Sequence, residues 1–418
     1  MPDVPDQAAP PPPIALPPNT RQSASGHGSL ATVLSLFLAL FLIDAALSLA
    51  DDTLILATGI HLLGPFRFLA DMLAILTALV VYVMMGLTPL VPKRFFLPLA
   101  LFYLFAELIL LLPLIYFFGR IQTFRWGVSI LQVVLGLAVF VWVLGGFKAR
   151  WPLVGEDQLQ GRTFSWLNLC AFLSGNLCLL LPAVLIYVGV CTAAAVDHFS
   201  SGFVRLRPNG ISMQVRKYVR DDGKTIQLYP MSHIADDVFY RKVEKSFPTN
   251  AIVLLEGVSD EKHLLTNKIS YKKIAENLGL SEQHEDFKPA RGRNVRADVD
   301  IDQFSPATIQ VLNFVMDIHD EGVDSATAQK ISQFNPTPDL PRQLYDDLLA
   351  MRNRHLLAEI QTNLTQTDCV IVPWGAAHMP GLAREIEKSG FRVAETTNYM
   401  AIRFRYLGHA ELMSKDKQ

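Results

Sequence analysis

Residues 372–382 read VPWGAAHMPGL, and this pattern decides the fold class of the second half of the chain. The apolar run Cys369–Val372 predicts a buried strand that stops at Gly375. Two alanines and His378 follow, and the Pro-Gly pair after them begins a helical pattern over about 380–389. A strand that ends at a histidine and leads directly into a helix is typical of an α/β domain.

The same arrangement occurs once more, in LYPMSHIADD (228–237). There the predicted strand 225–230 is followed by two residues, then His233, and then a helical pattern over 235–246. In both copies the helix leads to another strand, which predicts duplicated βαβ units. Because open α/β sheets bind ligands beyond the carboxyl ends of their parallel strands, we expect His233 and His378 to belong to one site.

The rest of the second half fits an α/β domain over about 200–408 with a mixed, partly parallel sheet. AIVLLEG (251–257) reads as a further buried strand. Shorter strand patterns lie at 392–396 and 399–406, and helical periodicity covers about 306–320 and 341–364. We interpret the polar, irregular segment 257–300 as an insertion around the site and residues 409–418 as a C-terminal tail.

The composition of the chain predicts a membrane region in its first half. Of 418 residues, 50% are hydrophobic and only 18% are charged. Residues 1–200 contain 9 Lys or Arg and 10 Asp or Glu, whereas residues 201–418 contain 28 and 29. The second half is therefore an ordinary globular composition. The near-zero net charge of both halves argues against nucleic acid as a partner.

Five apolar stretches are long enough to cross a bilayer, within a transmembrane region over 30–197. They cover about 30–50, 68–90, 96–118, 126–147 and 165–195. The proline-rich residues 1–29 that precede them are expected to be a disordered tail. We therefore predict a multi-pass integral protein of a bacterial inner (plasma) membrane, with the lipid bilayer as a partner.

The orientation follows from the Lys and Arg residues in the short loops. With the N-terminus in the cytoplasm, six basic residues lie inside: Arg21, Lys93, Arg94, Lys148, Arg150 and Arg162. Three lie outside: Arg67, Arg120 and Arg125. This difference and an odd number of spans predict an extracytoplasmic C-terminal domain.

Three carboxylates fall within the predicted spans, namely Asp44, Asp71 and Glu107. Intramembrane carboxylates can mark ion paths. They can equally be paired with polar neighbours such as Gln132, Asn168 or Asn176. Since no Lys or Arg lies in a span interior to complete a relay, transport ranks last among the functions considered.

Two further residues accompany the histidines in the α/β domain. Glu256 ends the strand AIVLLEG, and Arg352 lies in the helical stretch LLAMRNRHLLAEI. His233, His378 and Glu256 together suit a divalent metal such as Zn, Mn or Co, which would activate water. Without a metal, a His/Glu pair can supply general acid–base catalysis, and Arg352 can neutralise an oxyanion. Taken singly, each side chain is more simply a turn, capping or ion-paired residue.

Five segments resemble the TraB/PrgY/GumN family, within the Tiki-like and erythromycin-esterase-like superfamily. They are QLYPMSHIADD, IVLLEGV, RADVDIDQFSP (296–306), MRNRHLLAEI and VPWGAAHMPGLAREIEKSGFRV. The family pattern has two G-x-x-H motifs, a glutamate after the second strand, and Arg-Asn or Arg-Asp on a late helix. Gly375 with His378, Glu256, and Arg352 with Asn353 match it. His233 also matches, but Pro230 stands where the first motif has its glycine.

The resemblance implies an extracytoplasmic domain with both histidines and the glutamate in one pocket. Tiki-type members are regarded as divalent-metal-dependent proteases and the erythromycin-esterase branch as hydrolases that use His and Glu. We therefore expect a membrane-anchored hydrolase, most plausibly a metal-dependent peptidase that acts on peptides or proteins. Other branches bind haem or curb peptide signalling, so the alternative is a non-catalytic membrane protein that captures a peptide or haem-like ligand.

Overall fold

The computed structural model describes residues 19–145, 151–159, 161–266, 271–321 and 336–404. Its contacts divide the chain into two units, Met1–Cys191 and Thr192–Gln418. We call these the helical unit and the α/β unit. The predicted tail 409–418 and residues 1–18 of the predicted N-terminal tail lie outside the described residues. The remainder of that N-terminal segment belongs to a helix that begins at Asn19.

The helical unit consists of seven numbered helices in its described part. They are α1 (Asn19–Thr58), α2 (Gly64–Leu87), α3 (Lys93–Ile109), α4 (Leu111–Tyr116), α5 (Ile121–Leu144), α6 (Trp166–Gly175) and α7 (Leu181–Phe199), the last of which continues into the α/β unit from Thr192. A π-helical turn, Asn176–Leu180, joins α6 to α7. The core of the unit packs aromatic and aliphatic side chains of α1, α2, α3 and α5, including Phe37, Phe41 and Phe96. Large apolar side chains remain on the outer faces of these helices.

Four helices are long and apolar enough to cross a membrane, which confirms an apolar N-terminal helical region. They are Gly28–Thr58, Gly64–Leu87, Phe118–Leu144 and Trp166–Phe199. The predicted span 96–118 lies in two helical segments, Lys93–Tyr103 and Phe105–Tyr116, which meet at a bend of 60°. A separate interruption lies at Leu110, between α3 and α4, where Pro113 has no N–H to donate to the carbonyl of Ile109.

The α/β unit is built on a seven-stranded sheet. Its strands are β1 (Val204–Arg207), β2 (Gly210–Val219), β3 (Thr225–Met231), β5 (Ile252–Leu255), β7 (Arg293–Arg296), β8 (Cys369–Gly375) and β9 (Arg392–Arg403). The short strands β4 (Ile234–Ala235) and β6 (Ser281–Glu282) form a separate pair. The helices are α8 (Asp237–Ser246), α9 (Lys272–Leu278), α10 (Gln283–Asp286), α11 (Pro306–Glu321), α12 (Leu340–Tyr345), α13 (Arg352–Asn363) and α14 (Met379–Lys388).

The sheet is mixed and partly parallel, as the sequence predicts. Its order is β1-β2-β3-β8-β5-β7, and β9 pairs with β2. Neighbours from β3 to β7 are parallel, whereas β2 is antiparallel to β1, β3 and β9. The strands β3, β8, β5 and β7 therefore all bring their carboxyl ends to the same edge of the sheet.

The two crossover helices lie on opposite faces of this sheet. Phe239 and Val243 of α8 pack in one core cluster with Val253 and Ile371. Leu382 and Ile386 of α14 pack in the other cluster, together with α13 and the opposite face of the strands. The chain leaves β3 towards β5 but leaves β8 in the other direction, towards β9. Crossovers of one handedness that leave in opposite directions must use opposite faces.

Two details differ from the predicted elements. The two strand patterns at 392–396 and 399–406 form one continuous strand, β9. The polar residues between them also pair with β2, so the strand is not interrupted there. The segment 257–300, predicted to be irregular, contains α9, β6, α10 and β7. These elements are too short for hydrophobic periodicity to reveal them.

Two glycines of β2 and its following turn provide a test of this sheet. Gly210 and Gly223 both have a positive φ, but a Cβ at Gly210 would lie 2.1 Å from the carbonyl oxygen of Ile402, whereas a Cβ at Gly223 meets nothing. Left-handed strain costs about 1–2 kcal/mol at either position. We expect Gly210→Ala to lower the free energy of unfolding by about 2 kcal/mol more than Gly223→Ala does, because β9 must shift to make room for the new Cβ.

Hydrogen exchange of the β2 and β9 amides in the full-length protein measures this difference. Gly223→Ala is the matched control, because it makes the same chemical change at a positive φ without the clash. Equal loss of protection in the two variants would contradict the pairing of β2 with β9.

Candidate functional site

The site lies at the carboxyl ends of three adjacent parallel strands. Glu256 follows β5, Asp298 lies two residues beyond β7, and His378 lies three residues beyond β8. Gly257 has a φ of 147°, which lets the chain turn sharply after Glu256, and its N–H donates to Asp298 Oδ2 at 3.0 Å. The parallel register therefore brings together three side chains that are far apart in sequence.

Arg352 at the start of α13 connects two of these strand ends. Its Nε donates to Asp298 Oδ1 at 3.0 Å, and its Nη2 donates to Asp298 Oδ2 at 2.6 Å. The same Nη2 donates to Glu256 Oε1 at 2.8 Å. The carboxylate of Asp298 is fully buried, and Arg352 is 13% exposed. These two carboxylates keep the pKa of Arg352 raised in spite of its burial.

The start of α13 follows a π-helical turn, Asp346–Met351. Such turns occur often at functional sites because they change which residues face a neighbour. Here both Arg352 and Asn353, although consecutive, contact the site.

His378 is almost fully buried at the start of α14. Its Nδ1 lies 2.7 Å from Asn353 Oδ1, and its Nε2 lies 3.2 Å from Arg352 Nη1. Since the amide oxygen can only accept and the guanidinium can only donate, we assign the proton to Nδ1 and the lone pair to Nε2. Burial lowers the pKa of His378 to about 4, opposed by the Glu256 carboxylate and reinforced by Arg352. The imidazole is therefore neutral at pH 7.

Two glycines of GAAHMPG lie beside the polar groups of the site. The N–H of Gly375 donates to Glu256 Oε2 at 2.5 Å. A Cβ at Gly381 would lie 2.8 Å from Asn353 Nδ2. Gly381 therefore keeps space for Asn353.

Trp374 forms the apolar base of the site. It is fully buried, and its Nε1 donates to the carbonyl of Leu254 at 3.0 Å. The His378 ring meets it edge to face at 5.2 Å, and the Arg352 guanidinium lies 5.3 Å from its ring. An aromatic base of this kind lowers the local dielectric and so strengthens the electrostatic interactions above it.

The structure brings together Glu256, Arg352 and His378 but not His233. The His233 ring is exposed and stacks on Tyr271, with ring centroids 4.9 Å apart. Its carbonyl accepts a hydrogen bond from Gln283, at the strand pair β4–β6. In place of the glycine expected three residues earlier, Pro230 lies buried inside β3 and pairs in register with Trp374.

The arrangement does not fit the predicted divalent metal. Arg352 lies between Glu256 and His378, at 2.8 Å from the carboxylate and 3.2 Å from the imidazole nitrogen. A metal ion bound by those same atoms would face the positive guanidinium. Among the described residues, no three His, Cys, Asp or Glu side chains are grouped so that they could hold a metal. The site of His233, His378 and Glu256 therefore stays a prediction, one that requires both Arg352 and His233 to move.

The chain matches no family model, no curated protein and no solved structure. The resemblance to the TraB/PrgY/GumN family thus remains a hypothesis that rests on the motifs themselves.

The sequence reasoning missed Asp298 and left Asn353 without a role. Asp298 lies in RADVDIDQ, where alternating carboxylates look like a solvated loop. Asp300 does have such a role, since its carboxylate accepts from Ser259 and from the backbone of Glu261 and Asp302. The signal that could have revealed Asp298 was its place just after a strand, but the four residues of β7 gave no strand pattern.

Asp298 should contribute strongly to the stability of the α/β unit. We expect Asp298→Asn to destabilise it by about 3–5 kcal/mol, because the substitution leaves the buried Arg352 without its main counter-charge. Hydrogen exchange of β5 and β8 amides in the full-length protein gives the free energy of opening. The matched control is Asp302→Asn, which breaks only an exposed ion pair with Lys262 and should cost less than about 1 kcal/mol. Similar costs for both variants would refute the ion-pair arrangement.

Proposed function

We propose that the protein is a membrane-anchored hydrolase that acts on peptides or proteins, with His378 as its general base. One observation carries this proposal: a buried, neutral imidazole whose Nδ1–H is held by Asn353 and whose Nε2 lone pair faces the arginine. A base must be unprotonated at the working pH and oriented towards the reacting atoms. His378 meets the first condition, and in the proposal its Nε2 faces the scissile bond beside Arg352.

In the proposed reaction, His378 Nε2 removes a proton from water as the water oxygen attacks the carbonyl carbon of the scissile bond. The carbonyl oxygen becomes an oxyanion, which Arg352 stabilises through its Nη1 group. The imidazolium then gives its proton to the leaving amine as the carbon–nitrogen bond breaks. The 3.2 Å contact between Nε2 and Nη1 is longer than the hydrogen bonds of Arg352 to Asp298 and Glu256, so substrate and water can replace it at a lower cost than those.

Glu256 supports both partners of this reaction. Its Oε1 contacts Arg352 and lies 3.6 Å from His378 Nε2, so the carboxylate stabilises the transient imidazolium. Asp298 holds the guanidinium plane through two hydrogen bonds and is therefore a positioning residue. Glu256 and Arg352 are 15% and 13% exposed, which leaves one side of the cluster accessible to a ligand.

The metal-dependent form of the hydrolase remains a second proposal, supported by the sheet topology. The neighbouring strands β3 and β8 send their crossovers in opposite directions, and such a switch point is where open sheets bind ligands. His233 and His378 follow these two strands. This arrangement supports duplicated βαβ units and agrees with the family resemblance, in which a Zn, Mn or Co ion would bind both histidines and Glu256.

A non-catalytic protein that captures a peptide or haem-like ligand is the competing proposal. The closed set of hydrogen bonds among Glu256, Asp298, Arg352 and His378 favours it, because a fully paired cluster can serve recognition without chemistry. Turnover distinguishes the two classes, since only the hydrolase releases products.

Full-length protein in detergent, incubated with a mixture of fluorogenic peptides, provides the test. We expect His378→Ala to lower the cleavage rate at least about 100-fold, the usual contribution of a general base. The control, His284→Ala, alters an exposed histidine outside the cluster and should retain full activity. Since only neutral His378 accepts a proton and its pKa is about 4, kcat/KM should rise with pH through about 4 and then level off.

The outcomes separate the proposals. Activity that a chelator abolishes and Zn, Mn or Co restores would establish the metal-dependent form. Cleavage that survives His378→Ala would refute the base. Tight peptide or haem binding with no cleavage would establish the non-catalytic class.

We also propose that the helical unit crosses the membrane five times, with the bent pair α3–α4 as one span and the N-terminus in the cytoplasm. The excess of basic residues in the loops of that side supports this orientation. The α/β unit would then lie outside the cytoplasm.

Topology reporters placed after residue 418 test this orientation. We expect a reporter that is active only outside the cytoplasm to give signal there, and a cytoplasm-specific reporter to be silent. The same pair fused after Thr88, in the loop after α2, should give the opposite result. A cytoplasmic signal at residue 418 would refute the five-span orientation.

A further inference from the structure

His233 and Tyr271 form a stacked pair of rings at the edge of the sheet that carries the candidate site. The two ring planes are 6° from parallel, and the ring centroids are 4.9 Å apart. His233 remains exposed although Tyr271 covers one face of its ring. The opposite face of the imidazole is therefore the surface that the pair offers to a ligand.

The backbones of both residues are tied to the same short stretch of chain, at the end of β6. The carbonyl of His233 accepts a hydrogen bond from the N–H of Gln283 at 2.8 Å. The N–H of Tyr271 donates to the carboxylate of the preceding residue, Glu282, at 2.6 Å, and Glu282 is 5% exposed. Because adjacent residues hold the two backbones, the pair is ordered before a ligand binds, which lowers the entropic cost of binding.

The stacked pair lies close to the proposed general base. Met231 and Gly375 are register partners at the ends of β3 and β8, and the N–H of Ala376 donates to the carbonyl of Met231 at 3.1 Å. His233 follows Met231 by two residues. A turn closed by the His378 N–H and the Gly375 carbonyl, at 2.9 Å, keeps His378 near the end of β8. Chain geometry then limits the separation of the two histidine Cα atoms to about 19 Å, the length of roughly six extended residues.

The two histidines lie on either side of the crevice between β3 and β8. The helix that follows β3 packs on one face of the sheet, and the helix that follows β8 packs on the other. Open sheets bind ligands where neighbouring strands diverge in this way. An extended peptide in the crevice can therefore place its scissile bond at His378 and a neighbouring side chain on His233.

We propose that His233, stacked on Tyr271, is a specificity-determining residue that binds an aromatic side chain of the peptide substrate. The proposal rests on the metal-free hydrolase described above, in which His378 is the base. A third ring can stack, offset, on the open face of His233, and such a contact strengthens binding about two- to tenfold beyond the burial of its area. An aliphatic ring of the same size gains the burial alone.

Fluorogenic hexapeptides test this preference on full-length protein in detergent. Each peptide carries a single phenylalanine, placed in turn at every position of a Gly/Ser background, and its matched peptide carries cyclohexylalanine there. The two side chains have nearly the same size, but only phenylalanine has a π system. At one position we expect kcat/KM to be about two- to tenfold higher for phenylalanine.

His233→Leu is the decisive variant, because leucine keeps an apolar side chain but has no ring. We expect it to bring the ratio of the two kcat/KM values to about one. His233→Phe should restore the preference, since phenylalanine stacks but can neither bind a metal nor transfer a proton. The matched control is His284→Leu, the same change at an exposed histidine outside the stacked pair, which should keep the wild-type ratio. A ratio measured within one variant does not depend on how much of the protein is folded.

The same peptides, labelled with fluorescein, give dissociation constants by anisotropy and separate this proposal from the hydrolase itself. A phenylalanine preference in binding that His233→Leu removes, without cleavage by the wild-type protein, would support the aromatic subsite and refute the hydrolase. Cleavage with a ratio that His233→Leu leaves unchanged would overturn the subsite alone. Loss of all cleavage in both His233→Leu and His233→Phe would also overturn it and would place His233 in the chemistry or on a metal. Neither binding nor cleavage of any peptide would overturn both proposals.

Discussion

The α/β unit depends on the neutralisation of one buried cation. Arg352 is enclosed by the ends of β5, β7 and β8, and a guanidinium in such a position is tolerated only with carboxylates in hydrogen-bond contact. Asp298 supplies a two-point contact, and Glu256 supplies the second charge. Since these residues come from two strands and one helix, the ion pairs set how α13 sits against the edge of the sheet.

The chemistry of the site follows from this arrangement. Arg352 Nη1 donates a hydrogen bond to His378 Nε2, and the side-chain oxygen of Asn353, on the same helix, accepts one from His378 Nδ1. The imidazole therefore has one protonation state and one orientation, although no carboxylate contacts it as closely as in a Ser-His-Asp triad. Arg352 lies between Glu256 and His378, two of the side chains that the sequence assigned to a metal. The same residue contacts both Glu256 and His378 and so joins them in one cluster.

In the helical unit the balance of buried charge is the opposite, with carboxylates in excess over cations. There the carboxylates near one end of α1 outnumber the cations that contact them, and Asp44 is stabilised by Tyr103 and Gln132 instead. Of these, the sequence indicated Asp44, and it named Gln132 among the polar neighbours that could pair with such a residue. It did not show that Tyr103 would also contact Asp44, because that contact depends on how the helices pack. The bend between Tyr103 and Phe105 was equally hidden within a run of apolar residues.

The sequence by itself determined the order of the two units, the apolar helices, the main strands and three members of the cluster: Glu256, Arg352 and His378. Local patterns carry that information, since hydrophobic periodicity and strand-ending glycines act over a few residues. Only the tertiary structure decided that His233 stacks on Tyr271, away from the cluster, and that Asp298 joins it. Those outcomes depend on which strands are neighbours in the sheet and on which carboxylate lies next to the buried Arg352. Both are properties of packing between segments far apart in the chain, and no local pattern encodes them.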